Sequence, residues 1–339
     1  MSPLLEVDDL RVDIPTPAGM LYAVQGVSFG VARGETLCIV GESGCGKSLT
    51  SLAVMNLLPS RARRSAKAVA LDGQDILEMP ERRMSDLRGD RLAMVFQEPM
   101  SSLNPSYTIG NQLEEAYLRH RQASRREARE RAVYLLGRVG ISAAASRLGQ
   151  YPHQLSGGQR QRVMIAMALM CGPDLLIADE PTTALDVTIQ AQILLLLREL
   201  QQEFEMGLIL ITHDLGVVSR VADRIAVMYA GQIVETGSAA VIFDAPLHPY
   251  TQGLLACIPV PGKTPRGSRL GSIPGIVPPL VGELCGCRFR ERCPYAVPPC
   301  ADDVDLRRGY GEGHSYRCVL PVKATLGHIR EEEVAWTSR

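Results

Sequence analysis

A glycine-rich stretch near the amino terminus constrains this chain more than any other feature. Residues 41–48 read Gly-Glu-Ser-Gly-Cys-Gly-Lys-Ser and match G-x-x-x-x-G-K-[ST] at every fixed position. An apolar, β-prone run precedes it at residues 35–40, and a run that can form a helix follows at residues 49–58. In such a strand–loop–helix context, backbone N–H groups and the helix N-terminus face a phosphate. The stretch therefore predicts a phosphate-binding loop.

The residue types in this loop suggest individual roles. Lys47 can reach the β- and γ-phosphates of a nucleotide, and the Ser48 hydroxyl can ligate Mg²⁺. We expect the other loop residues to surround the nucleotide; they are Gly41, Glu42, Ser43, Gly44, Cys45, Gly46 and Leu49.

Length and charge narrow the class of protein. The 339 residues can hold one large or two smaller domains, and the formal net charge of −1 argues against bulk binding to nucleic acid or anionic membranes. The basic cluster at residues 119–131 alternates with glutamates, which favours a solvated helix face. No run approaches the ~18 apolar residues of a membrane span, and the first residues lack a signal-peptide layout. We expect a soluble, cytoplasmic chain.

Predicted helices and strands alternate between residues 156 and 240, which is typical of a largely parallel α/β sheet. Residues 4–40 predict short strands with turns, and residues 111–148 predict mostly helix. Proline and glycine become frequent beyond this block. We therefore expect two domains: residues 1–245, with a helical part at about 100–165, and an irregular extension at residues 246–339.

Two carboxylates end one of the predicted strands. Residues 175–180 read Leu-Leu-Ile-Ala-Asp-Glu, and in a parallel sheet ligands collect at the carboxyl ends of strands. Asp179 can hold Mg²⁺, directly or through water, while Glu180 can act on the attacking water. Phosphoryl transfer uses this division between a metal ligand and a group that activates the nucleophile.

A second motif predicts another anion-binding surface. Ser156, Gly157, Gly158 and Gln159 stand before an apolar helix, whose N-terminus favours an anion. One chain needs only one phosphate loop for one ATP. We therefore expect this second motif to serve the nucleotide held by another subunit.

Together these motifs resemble the nucleotide-binding subunits of ABC transporters over about residues 4–240. The resemblance implies an α/β fold with a RecA-like core, an antiparallel β subdomain and a helical signature subdomain. Residues 41–48 then correspond to the phosphate loop and residues 155–159 to the family signature. Asp179 and Glu180 correspond to the metal-binding aspartate and the catalytic base.

The same resemblance implies roles for four further residues. Gln97, in Val-Phe-Gln-Glu-Pro, would sense Mg²⁺ and face the membrane subunits, and Asp186, in Ala184-Leu-Asp186, would contact the partner ATPase. His213, in Ile-Thr-His-Asp, would act as a switch near the γ-phosphate. The family stacks adenine on an upstream aromatic residue. Tyr22 is the nearest candidate here, although residues 15–19 depart from the family pattern through an apparent insertion.

Cysteines are concentrated near the carboxyl terminus. Five of the nine lie between residues 285 and 318, at positions 285, 287, 293, 300 and 318. Thiolates in a proline-rich segment with little core of its own suggest a structural metal. The gaps that separate Cys287, Cys293, Cys300 and Cys318 are wider than the C-x₂-C pairs of most zinc sites and do not match common ferredoxins. Spacing alone therefore does not choose between zinc and an iron–sulfur cluster.

Further motifs in this extension look like the ATPases of oligopeptide/dipeptide importers. They include His-Pro-Tyr-Thr at residues 248–251, Gly-Cys-Arg-Phe at residues 286–289 and Arg-Cys-Pro at residues 292–294. That subgroup carries four cysteines able to bind a [4Fe–4S] cluster. Cys287, Cys293, Cys300 and Cys318 align with those ligands, and Cys285 is extra. Zinc stays the alternative.

The resemblance implies an ATP-hydrolysing, Mg²⁺-dependent subunit that energises uptake of di- or oligopeptides. It would lie peripherally on the cytoplasmic side of the inner membrane. The implied partners are a second, homologous but non-identical ATPase, two transmembrane permeases and, through the complex, a solute-binding protein, with no nucleic acid.

Two other functions are weaker. A soluble ABC-type ATPase acting on nucleic acid or ribosomes would need a long coiled-coil insertion or a second ATPase block, and the sequence shows neither. An iron–sulfur redox protein would leave the complete ATP motifs unexplained.

Overall fold

The computed structural model describes residues 3–98, 102–183, 185–258, 271–282, 284–310 and 313–322. The chain divides into two compact units. The first unit comprises Met1–Glu6, Gly30–Thr36 and Ala70–Ile211, and the second comprises Val7–Phe29, Leu37–Val69 and Thr212–Arg339.

Thirteen strands are found in the described residues. They are β1 Leu5–Thr16, β2 Gly19–Val31, β3 Thr36–Val40, β4 Arg63–Ser65, β5 Ala68–Leu71, β6 Gln74–Asp75, β7 Leu92–Val95, β8 Leu175–Asp179, β9 Gly207–Thr212, β10 Arg224–Tyr229, β11 Gln232–Ser238, β12 Arg307–Arg308 and β13 Ser315–Tyr316.

Ten α-helices are found in the same residues. They are α1 Lys47–Val54, α2 Glu81–Leu87, α3 Ile109–His120, α4 Arg125–Arg138, α5 Ala144–Arg147, α6 Gly157–Ala168, α7 Val187–Phe204, α8 Leu215–Val218, α9 Ala239–Asp244 and α10 Pro249–Ala256. None of these helices is both long enough and apolar enough to cross a membrane.

The first unit is built on a parallel sheet with helices. Strands β7, β8 and β9 are parallel neighbours, with Val95 opposite Ala178 and Asp179 opposite Ile211. Every residue of β8 is buried, as expected for a parallel strand that is covered on both faces. Helices α3, α4 and α6 pack against one another. This arrangement confirms the predicted parallel α/β sheet and the predicted helical region.

The second unit contains the strand that leads into the phosphate loop. Strand β3 is parallel to β10, which pairs antiparallel with β11. Strand β13 continues this sheet beyond β11, and β12 pairs with β13. In the same unit, β4 pairs antiparallel with β1.

The prediction of strands with turns in residues 4–40 was right in type, but it was wrong about the length of the first two strands. Strands β1 and β2 are 12 and 13 residues long, and only Pro17 and Ala18 form the turn between them. The turn-prone pair Asp8 and Asp9 does not divide β1, although Asp9 has a φ of +50°. The apparent insertion near residues 15–19 is therefore the tip of a hairpin.

The extension packs within the second unit, which also holds β3 and α1. Among its described residues are α10, two 3₁₀ turns at Arg290–Arg292 and Pro298–Ala301, and the short strands β12 and β13. The predicted domain boundary at residue 245 does not coincide with a boundary between compact units, and it stays a prediction.

Candidate functional site

The phosphate loop connects β3 to α1, as the sequence predicts. Two of its glycines are required by their surroundings. A Cβ atom at Gly41 would lie 2.1 Å from the carbonyl oxygen of Met228, and one at Gly46 would lie 2.5 Å from that of Ala23. Gly46 also has a φ of +102°, which side chains of L-residues rarely adopt. The loop backbone is therefore pressed against its own unit in a form that only glycine permits.

Lys47 is tied to the loop that it follows. Its ammonium donates to the carbonyl oxygen of Gly41 over 2.8 Å and to that of Glu42 over 3.0 Å, and the residue is only 4% exposed. Ser43 and Gly44 form the exposed part of the loop, while Cys45 is buried. Burial raises the pKa of the Cys45 thiol, so this side chain adds no negative charge beside a phosphate.

The second unit also contains Tyr22, the candidate for stacking on adenine, and His213, the candidate for contacting the γ-phosphate of ATP. Tyr22 is half-buried, and its backbone N–H donates to Leu280 in the extension over 2.8 Å. His213 is exposed directly after β9, at the carboxyl end of that strand. Asp214 beside it accepts from the N–H of Gly216 over 2.8 Å and so begins α8.

In the first unit, the structure brings together the residue predicted to bind Mg²⁺ and the residue predicted to activate the attacking water. Asp179 ends β8 and is 5% exposed, and Glu180 follows with its N–H bonded to Ile211 over 2.9 Å. Glu180 accepts two hydrogen bonds on the same oxygen, Oε2. One comes from Nε2 of Gln97 and one from the hydroxyl of Thr183, each over 2.9 Å.

Glu180 has an unusual backbone conformation and one partner that the sequence analysis missed. Its φ of +44° lies in the left-handed region, which is uncommon for a non-glycine residue and clusters at functional sites. Thr183 was not predicted. Its signal was its position three residues after Glu180, which places the hydroxyl within reach once the chain turns.

The predicted signature forms the start of α6. The Ser156 hydroxyl caps the helix by accepting from the N–H of Gln159 over 3.3 Å. In return, the side-chain oxygen of Gln159 accepts from the N–H of Ser156 over 3.0 Å. Ser156 and Gly157 are exposed. A Cβ atom at Gly158 would lie 3.3 Å from the Cγ2 of Ile189, so the helix approaches α7 closely at this point.

Asp186 lies at the start of α7 and is exposed. Its neighbour Val187 is 80% exposed. Ala184, which belongs to the same predicted contact with a partner ATPase, lies outside the described residues.

Three cysteines of the extension, Cys287, Cys300 and Cys318, lie near one another. The N–H of Cys287 donates to the carbonyl oxygen of Cys300 over 2.9 Å, and Cys300 and Cys318 are buried. Burial, and then the nearby thiols of Cys287 and Cys300, raise the pKa of Cys318 to about 11. Over the described ranges, no three His, Cys, Asp or Glu side chains are placed to hold a metal ion. The side chains in this conformation do not fit the predicted cluster.

Two residues that hold the phosphate loop from the extension were not predicted from the sequence. The hydroxyl of Tyr250 accepts from the N–H of Glu42 over 2.9 Å. The guanidinium of Arg292 forms an ion pair with the Glu42 carboxylate at 2.7 Å. The sequence pointed to such a partner only through Glu42, because a carboxylate in a loop predicted to bind phosphates needs a cation to offset its charge.

Two family models match separate parts of the chain. The model described as "ABC transporter" matches residues 24–183. The model described as "Oligopeptide/dipeptide transporter, C-terminal region" matches residues 234–300.

Curated relatives match nearly the whole chain. The dipeptide transport ATP-binding protein DppD of Escherichia coli (strain K12) is 50% identical over 319 residues, which cover 94% of this chain and 97% of that protein. DppD of Bacillus subtilis (strain 168) is 48% identical over 321 residues, with coverage of 94% and 95%. A putative peptide import ATP-binding protein of Brucella abortus (strain 2308) is 50% identical over 328 residues, with coverage of 94% and 97%.

A solved structure supports the same assignment. The dimeric bacterial ABC transporter cassette MJ0796 is 28% identical, with a TM-score of 0.63, and the match covers 69% of this chain and 98% of that one. Family models, relatives along nearly the full length and the fold all agree. The chain belongs to the ABC transporter ATPases, within the oligopeptide/dipeptide transporter family.

Proposed function

We propose that this chain hydrolyses ATP to energise the uptake of di- or oligopeptides across the cytoplasmic membrane. The observation that carries the proposal is the presence, in one chain, of a complete phosphate loop at residues 41–48 and a match to the oligopeptide/dipeptide transporter region at residues 234–300. The names of the relatives support peptides as cargo. They do not favour a soluble ATPase acting on nucleic acid or ribosomes.

Lys47, Ser48, Asp179 and Gln97 bind the Mg²⁺–ATP substrate in this proposal. Mg²⁺ takes oxygen ligands and is usually held by one or two carboxylates together with substrate phosphates. Asp179 supplies a carboxylate, Ser48 a hydroxyl and Gln97 an amide oxygen, so the donor types fit. The bound Mg²⁺ would offset the negative charge that develops on the phosphate oxygens.

Glu180 acts as the general base that takes a proton from the attacking water. Gln97 and Thr183 both donate to Oε2 of Glu180, so they fix the orientation of its carboxylate. The ammonium of Lys47 stabilises the negative charge of the β- and γ-phosphates. His213 contacts the γ-phosphate, and Tyr22 stacks on adenine. Most of the rate enhancement then comes from positioning and charge stabilisation, as in other phosphoryl transfers.

The signature residues serve the nucleotide of a second ATPase. Ser156, Gly157, Gly158 and Gln159 form a helix N-terminus, which favours an anion, and the first two of them are exposed. Asp186 contacts the partner from the start of α7. The dimeric state named for the similar cassette supports this pairing. The partner ATPase is a homologous, non-identical chain.

The remaining partners are two transmembrane permeases, with a solute-binding protein reached through the complex. The ATPase lies peripherally on the cytoplasmic side of the inner membrane and contacts the permeases near Gln97. The names of the relatives, which are transport and import ATP-binding proteins, support this assembly.

A [4Fe–4S] cluster on Cys287, Cys293, Cys300 and Cys318 stays a prediction, with zinc as the alternative. Its support is the resemblance of the cysteine pattern and the proximity of the thiols of Cys287, Cys300 and Cys318. The described side chains do not form a metal site, so no step of ATP hydrolysis is assigned to a cluster.

Complementation of a strain that lacks this chain tests the proposed function. The wild-type chain should restore uptake of a labelled dipeptide, and Lys47→Ala should not. Lys67→Ala is a matched control, because the Lys67 side chain is 70% exposed and pairs with Asp9. If the wild-type chain hydrolyses ATP but restores no uptake of a panel of di- and oligopeptides, the peptide assignment fails.

A further inference from the structure

The extension holds the phosphate loop through an ion pair between Arg292 and Glu42. Nη1 of Arg292 donates to Oε2 of Glu42 over 2.7 Å, and Nη2 donates to Oε1 over 3.0 Å. The pair is bidentate, which is the strong and geometrically specific form of this contact. The Arg292 side chain is 4% exposed and that of Glu42 is 30% exposed. Ion pairs on an exposed surface contribute little to stability, but this pair is largely shielded from water.

The rest of the Arg292 guanidinium is also fixed. Nε donates to the carbonyl oxygen of Pro274 over 2.8 Å, and Nη2 also donates to that of Ile273 over 3.2 Å. Nη1 further donates to the hydroxyl of Tyr229 over 3.3 Å, and the guanidinium lies over the ring of Phe289 at 5.9 Å. Burial lowers the pKa of Arg292, but the bonds to Glu42 and Tyr229 outweigh it and leave the pKa above its ordinary value. The cation is therefore permanent and has one defined position.

Tyr250 provides a second contact with the same loop residue. Its hydroxyl accepts from the backbone N–H of Glu42 over 2.9 Å. Tyr250 is fully buried, and its ring centroid lies 4.5 Å from that of Tyr229 and 5.4 Å from that of Phe289. Glu42 is thus held through its side chain by one element of the extension and through its backbone by another.

Glu42 connects these contacts to the lysine of the loop. The carbonyl oxygens of Gly41 and Glu42 receive the ammonium of Lys47. A carboxylate in a phosphate-binding loop also repels the charge of ATP, unless a cation offsets it. Arg292 is the cation that the structure places on this carboxylate.

We propose that Arg292 and Tyr250 are positioning residues of the nucleotide site, by which the extension fixes the phosphate loop and neutralises Glu42. This inference rests on the proposed function only in taking ATP as the ligand. It gives the extension a direct part in setting the affinity for ATP.

Four variants of the full-length chain in the assembled complex test this inference, through KM for Mg²⁺–ATP and kcat. Arg292→Gln should raise KM about tenfold, with kcat changed less than about threefold, because it leaves Glu42 charged and unpaired. Glu42→Gln should change KM only about two- to threefold. The double variant should return KM to the value of Glu42→Gln, since the repulsive charge is gone. Arg290→Gln is the matched control, because it removes the same charge from the same 3₁₀ turn.

A merely structural role for Arg292 would not produce this rescue. Tyr250→Phe keeps the buried ring, loses the acceptor and should raise KM several-fold with unchanged unfolding behaviour. If Arg292→Gln fails to fold, Arg292→Lys keeps the charge and should give an intermediate KM. A KM for Arg292→Gln equal to that of Arg290→Gln, or a double variant without rescue, overturns the inference. A wild-type chain with no ATPase activity would instead overturn the proposed function.

Discussion

Gln97 donates a hydrogen bond from Nε2 to Oε2 of Glu180 over 2.9 Å, although 83 residues separate them along the chain. The parallel pairing of β7 and β8 explains this contact, because Val95 lies opposite Ala178 and both strands end at the same edge of the sheet. A residue proposed to face the membrane subunits is thus bonded to the residue proposed to activate water. A movement of Gln97 would reach the Glu180 carboxylate directly.

Glu180→Gln should nearly abolish turnover while it preserves ATP binding. Loss of a general base typically costs on the order of 10²–10⁴-fold in rate. Glutamine can keep the hydrogen bonds from Gln97 and Thr183 at its amide oxygen, so the local structure should survive. Steady-state ATPase assays and ATP titration of the assembled transporter measure both effects. Near-normal turnover would exclude Glu180 as the base.

Gly158→Asp should abolish ATP hydrolysis when every ATPase subunit carries it. The substitution puts negative charge at a helix N-terminus that should meet a phosphate, and a Cβ atom there lies 3.3 Å from Ile189. Mixing Gly158→Asp subunits with Lys47→Ala subunits should leave at most one intact composite site. Gly149→Asp is a suitable control, since nothing lies within 4 Å of a Cβ atom at Gly149. Normal hydrolysis by a uniform Gly158→Asp assembly would contradict the shared site.

Protein purified without oxygen should be brown and contain about four iron atoms per chain if the cysteine prediction is right. Replacement of Cys293 or Cys300 should remove the iron and loosen residues 285–318, while ATP binding at Lys47 persists. About one zinc and no iron would replace the cluster with a structural zinc site. Absence of both metals under strictly anaerobic preparation would exclude either site.

Glu235→Gln should destabilise the second unit by about 3–5 kcal/mol. Glu235 is fully buried and accepts from the N–H groups of Leu247 and His248, over 2.6 and 2.9 Å, and from Nε2 of His314 over 2.9 Å. The amide of glutamine would bring a donor against these donors. Urea unfolding measures the loss, with the exposed Glu205→Gln as control. Equal midpoints for the two variants would contradict this role.

Stability should fall on mild acidification because of His248. Burial, and then the charge of Arg317, lower the pKa of this imidazole to about 3, whereas the unfolded side chain titrates near 6.5. Between these values the unfolded state binds the extra proton, so the free energy of unfolding decreases as the pH falls. The slope is up to about 1.4 kcal/mol per pH unit.

His248→Asn isolates this effect. Asparagine can still accept from the N–H of Tyr250, as His248 does over 3.1 Å, but it does not titrate. Urea unfolding at about pH 7 and about pH 5 should show a smaller loss of stability in the variant than in the wild type. An unchanged slope would mean that His248 is not the group responsible.

The sequence predicted those parts of the site that local patterns encode. The glycines of residues 41–48, the strand ending at Asp179 and the helix start beside Ser156 each depend on residues within a few positions. The hydrogen bond between Gln97 and Glu180 was not predicted, because it depends on the pairing of β7 with β8.

The contacts made by the extension could not be predicted in this way. Arg292 and Tyr250 lie 250 and 208 residues from Glu42, and neither stands in a periodic pattern that marks a partner. Composition alone suggested a separate, irregular domain. A high content of proline and glycine does not show how many aromatic and charged side chains of such a segment become buried. Phe289 and Tyr250 of the extension pack against Tyr229 of β10 in a buried aromatic cluster.

Strand β13 lies along β11, with Tyr316 opposite Glu235 and Ser315 opposite Thr236. Without it, β11 would present a row of unpaired N–H and C=O groups, and such edges template aggregation and strand exchange between molecules. A shortened chain that stops at residue 300 would therefore keep its phosphate loop but become prone to self-association. Strand β13 thus covers the edge of its own sheet, and its removal by proteolysis would expose that edge to pairing with another molecule.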